Sequence, residues 1–113
     1  MKGIEYKLLT TLMNIAQTTG RDIGLQLDKK VMCQSWKCSW KEIKASFKEI
    51  SKFIYGIEEI HGFCFVDINL DKFFEFGYEN KWFKKGEEPK INECYEGEYI
   101  KDIANMIYKE EKL

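Results

Sequence analysis

Proline, arginine and histidine each occur once, as Pro89, Arg21 and His61. With one proline, and no repeat or low-complexity tract, the only stretch that reads as an internal linker is residues 77–90, GYENKWFKKGEEPK. With one histidine, an imidazole mechanism would rest on His61 beside Cys64, and no third group is at hand to orient that pair. With one arginine, bidentate reading of guanine has almost no side chain to draw on. The eight glycines are scattered and form no phosphate-binding loop. No apolar run approaches the roughly 18 residues of a membrane span. The four cysteines contain no C-x-x-C pair, which argues against a redox motif.

What is present describes an ordinary globular chain. Of 113 residues, 44% are hydrophobic and 33% charged, too apolar for intrinsic disorder. The length predicts a single domain, residues 1–113, able to bury about two thirds of its unfolded surface. The start, MKGIEYKLL, has no signal-peptide pattern, so a cytoplasmic location and reduced thiols are expected. No cofactor and no metal is expected. The 17 lysines are unevenly placed. Residues 1–55 hold ten basic and five acidic side chains, net +5; residues 56–113 hold eight and fourteen, net −6. Such asymmetry suits a polyanion partner on one side, and equally a dipolar protein without one.

Hydrophobic spacing predicts the elements. Ile4, Leu8, Leu9, Leu12, Ile15 and Ala16 recur at helical intervals over 4–18, with Gly20 as C-cap. Residues 23–27, IGLQL, alternate as a short strand, and Asp28 can cap a helix 28–36. Ser39 and Glu42 form a capping-box pattern before a helix that the spacing of Ile43, Phe47, Ile50 and Ile54 carries to about Tyr55. IEEIHGFCFVDINL reads as two strands turning at His61-Gly62, with Phe63 and Phe65 on the face opposite Cys64, Val66 and Ile68, and both faces covered. DKFFEFG, 71–77, fits either a helical turn or a strand. A loop is expected over 78–96. Tyr99, Ile100, Ile103, Ala104, Met106 and Ile107 predict a final helix over 97–111.

The stretch 31–50, VMCQSWKCSWKEIKASFKEI, admits two accounts. Cys33, Cys38, His61 and Cys64 are four zinc-type ligands, but His61 and Cys64 should point to opposite faces of a strand. A helix–turn–helix uses both cysteines without metal. Met32, Cys33 and Trp36 face inward, Cys38 plugs the turn, and Ile43 and Phe47 close the second helix. Lys37 then occupies the turn position where glycine is common.

This order of elements resembles a winged helix–turn–helix domain over residues 4–77. The stretch IHGFCFVDINLDKFFEFG is similar to the wing of replication initiators of low-GC plasmids and phages, which run into an Ile-Asn-x-x-x-Phe segment, here Ile68, Asn69 and Phe73. Leu70 stands where that family often has proline. The resemblance implies a DNA-binding α+β fold, with helices and a small antiparallel β-hairpin wing. Joined to the C-terminal helix that spacing predicts and to the lack of a catalytic constellation, it sets the expectation of a non-enzymatic DNA-binding protein. The richness in Lys, Ile, Phe and Tyr also suits an AT-rich bacterial, plasmid or phage genome.

At about 100° per residue, Lys37, Lys41, Lys44, Lys48 and Lys52 fall within an arc of about 80°, apart from the apolar face. These lysines and Trp40 are the candidate double-stranded DNA contacts, with the hairpin near His61 lying along the backbone. The alternative for the stripe is a solvated helix face. The alternative for the protein is a small protein-binding module, such as a phage-encoded inhibitor of a host enzyme, using Tyr78, Trp82 and Phe83 as aromatic anchors. The last helix could form a homodimer or pack within the chain.

Overall fold

A computed structural model describes residues 3–93. In chain order these form α1 (Ile4–Thr19), β1 (Leu25–Asp28), α2 (Lys29–Trp36), α3 (Trp40–Glu49), β2 (Ile54–Ile60), β3 (Phe63–Ile68) and α4 (Leu70–Glu79), with one 3₁₀ turn, Ser51–Phe53, between α3 and β2. The class is α+β: four helices and a three-stranded antiparallel sheet of order β1-β3-β2. The expected final helix, 97–111, and any dimer contact through it lie outside the described residues. No helix among those described is long and apolar enough to cross a membrane.

The core forms where the predicted stripes meet. Leu8, Leu9, Leu12 and Ala16 of α1 are fully buried, and Gly20 ends the helix in the left-handed conformation, its N–H bonded to the Ala16 carbonyl at 2.8 Å. The sheet contributes Leu25, Leu27, Cys64, Val66 and Ile68, and the register pairs Leu25 with Val66 and Leu27 with Cys64, so these side chains share one face. Met32, Ile43 and Phe47 close the core from α2 and α3, while Cys33, Trp36 and Cys38 are half-buried against it. Each large side chain buried in this way contributes about 1.5–3 kcal/mol of transfer free energy.

Several boundaries differ from the sequence expectation. The first strand starts at Leu25 rather than at residue 23, because Gly24 takes φ 62° and donates its N–H to the Asp67 carboxylate at 2.8 Å. The helix expected to run to Tyr55 ends at Glu49. Ile50 and Phe53 are both buried and, three apart, suit a helix face, but Ile54 must be extended to pair with Ile68, so the helix has to end before it. The 3₁₀ turn resolves the conflict, and Asn69 N–H locks it by bonding to the Phe53 carbonyl at 2.8 Å. Residues 71–77 are helical, as part of α4, with the Asn69 side chain capping it through Lys72 N–H. The linker expected over 77–90 is instead anchored. Trp82 N–H bonds to the Gly77 carbonyl, and Asn92 N–H bonds to the Gly20 carbonyl, each at 2.8 Å. The outer sheet face is only partly covered, with Phe63 exposed.

Lys37 ends α2 with φ 53° and ψ 48°, a left-handed conformation that costs an L-residue about 1–2 kcal/mol. Replacement by glycine removes this cost and adds a smaller one through the freer unfolded chain. Lys37→Gly is therefore expected to raise unfolding stability by about 0.5–1 kcal/mol, read as a higher denaturant midpoint at unchanged m. A lower midpoint would contradict the assigned turn.

Candidate functional site

The corner between α2 and α3 places most of the predicted contacts. Ser39 caps α3 in a complete capping box: its hydroxyl accepts from Glu42 N–H, and the Glu42 carboxylate accepts from Ser39 N–H, each at 3.2 Å. With Ile43 and Phe47 buried, Lys41, Lys44 and Lys48 are left on the exposed side of the helix. Lys37 is exposed at the corner itself. Lys52 does not extend this row. It lies in the 3₁₀ turn, its Nζ 5.1 Å from the Phe53 ring centre, and lines an open depression of about 400 Å³ shared with α4. The row of five expected from spacing is thus three lysines on α3 plus Lys37.

Glu59, which the sequence reading did not single out, organises this corner. It lies on β2 and accepts hydrogen bonds from Trp40 Nε1–H at 2.8 Å, from Lys29 Nζ at 2.6 Å and from Lys44 Nζ at 2.8 Å. Trp40 is therefore a joint rather than an outward contact. Its ring stacks obliquely near Phe47, and Lys29 Nζ lies 5.1 Å from its centre. Lys29 N–H also bonds to the Gly62 carbonyl at 3.0 Å, so the hairpin turn is docked on the start of α2. The Lys29 and Lys44 ammonium groups hold the Glu59 carboxyl down at about 2, against the opposing effect of partial burial.

The hairpin carries no cation. Residues 54–68 contain no lysine or arginine, and they contain Glu58, Glu59 and Asp67. The expected run of the hairpin along a phosphate backbone has no charge to hold it. His61 sits exposed at the turn with φ 54°, whereas Cys64 points into the core, where burial pushes its thiol up to about 12. The two residues therefore form no nucleophile–base pair. Among the described residues no three His, Cys, Asp or Glu side chains converge as a metal cluster.

The aromatic stretch 78–83 packs inward. Trp82 is half-buried, its ring centre 5.1 Å from that of Phe76, and its Nε1–H donates to the Tyr6 hydroxyl at 3.3 Å. Phe83 meets Phe74 and Tyr78 edge-on, and a Cβ at Gly77 would overlap its ring. The Tyr78 hydroxyl donates to Glu88, which pushes the phenol up to about 12. These side chains spend most of their contact area within the chain, which weakens their case as anchors for another protein.

Comparison with protein-family models, curated proteins and solved structures finds no match for this chain.

Because the folded pKa of Glu59 lies below its ordinary value, its stabilisation is present above about pH 4.5 and is lost as pH falls through about 2. Lys44 is 63% exposed, so its share is reduced by solvent screening, and the whole network is worth on the order of 1–3 kcal/mol. Glu59→Gln should lower stability by that amount at pH 7, and the gap from wild type should close between pH 4.5 and pH 2. A gap independent of pH would contradict the ion-pair account.

Proposed function

We propose that this protein is a non-enzymatic winged-helix protein that binds double-stranded DNA through the outward face of α3, in replication or transcription control of a mobile element. The observation that carries the reading is the exposure of Lys41, Lys44 and Lys48 along one side of a capped helix whose other side is locked into the core. The order of elements, with β1 paired to the second strand of the hairpin, supports it as well. Lysines on such a helix neutralise phosphates and release counterions. With Arg21 the sole arginine, affinity comes mainly from phosphate contacts and base discrimination is modest. The cation-free hairpin gives the contact a direction: the duplex meets α3 and the Lys37 corner, not the hairpin tip.

A second reading, a protein-binding module, is favoured by one observation. Val31 and Phe63, 54% and 37% exposed, both flank Asp28. On this reading that patch, rather than Tyr78, Trp82 and Phe83, would be the anchor.

Anisotropy of a labelled AT-rich duplex at several salt concentrations separates the two readings. Wild type is expected to bind with a steep salt slope, and Lys41→Ala/Lys44→Ala/Lys48→Ala to reduce that slope by about 2–3. No binding at low salt by folded wild type would sink the DNA reading. Val31→Ser/Phe63→Ser, which removes the apolar groups without changing the charge, should leave duplex binding intact.

A further inference from the structure

We propose that Cys33 and Cys38 form a redox modification site, a dithiol at the α2–α3 corner that closes to an intramolecular disulfide when it meets a small-molecule disulfide. The proposal stands independently of nucleic-acid binding. It rests on how α2 ends. The Cys33 carbonyl accepts both the Lys37 N–H and, at 3.2 Å, the Cys38 N–H. A bond from the sixth residue back to the first, around a left-handed fifth, is the 6→1 bond of a Schellman-type helix end, where the first and last side chains frequently meet. A disulfide requires α-carbons about 4.4–6.8 Å apart, and this turn folds the two residues back toward each other.

Both thiols are half-buried, within reach of solvent, and neither is tied up in a metal cluster among the described residues. The Cys38 thiol lies above its ordinary value through burial, with Glu42 and the neighbouring Cys33 adding to the effect. Cys33 is therefore the first to react and Cys38 the resolving thiol. In the first step the Cys33 thiolate attacks one sulfur of oxidised glutathione, forming a mixed disulfide and releasing glutathione thiolate. In the second, the Cys38 thiolate attacks the Cys33 sulfur, the protein disulfide forms, and a second glutathione leaves. The protein gives up two protons and two electrons, and one oxidised glutathione becomes two reduced ones. Cys64 is fully buried and takes no part.

The test uses the full chain with Cys94→Ser, incubated across a series of glutathione redox ratios and mapped by non-reducing peptide mass spectrometry. A Cys33–Cys38 cross-link in folded protein, reversed by dithiothreitol and accompanied by a higher melting temperature, is the expected result. With Cys38→Ser added, the reaction should stop at a glutathione adduct on Cys33. Stable separate adducts on both cysteines would overturn the proposal, as would a cross-link formed only in denaturant or no reaction at either thiol.

Discussion

The carboxylate of Glu59 joins three elements that lie far apart in the chain. Through Lys29, Trp40 and Lys44 it connects β2 to the starts of α2 and α3, and the Lys29–Gly62 backbone bond adds the hairpin turn. A carboxylate partly withdrawn from water is favoured with its partners in place, because losing one leaves its charge less compensated. This constraint decides which side chains stay outward. Trp40 is drawn into the joint, Lys44 is partly neutralised, and Lys41 and Lys48 remain on the exposed side of α3.

The charge pattern takes its meaning from this arrangement. The positive half of the chain is concentrated on α2, α3 and the corner between them, and the hairpin beside them carries only carboxylates and His61. A polyanion would be drawn to the helix and repelled by the strands, which sets an approach direction as well as an affinity. The exposed Val31 and Phe63 lie beside Asp28 at the foot of α2, next to Lys29 and Lys30.

Much of the fold was legible because local chemistry and tertiary packing agree. The α1 stripe, the Gly20 cap, the Asp28 and Ser39 caps and the His61-Gly62 turn follow from periodicity and capping chemistry, and all appear as read. The end of α3 was hidden because Ile54 continues the helical spacing of Ile43, Phe47 and Ile50. Only its pairing with Ile68 reveals it as strand. The DKFFEFG segment has too many aromatics for either period to stand out, and the cap at Asn69 was the unused signal. At the site, the lysines of α3 were visible from spacing. The Glu59 joint was not, since its partners lie 30, 19 and 15 residues away along the chain.

One surface of the protein is expected to meet DNA, and an amide NMR titration of the labelled full chain with a short AT-rich duplex tests it most directly. Shifts concentrated on residues 37–48, with the hairpin tip 60–63 and the aromatic stretch 78–83 little changed, are the predicted result. Shifts centred on the hairpin tip or on 78–83, or none at low salt, would contradict the assignment of α3 as the contact face.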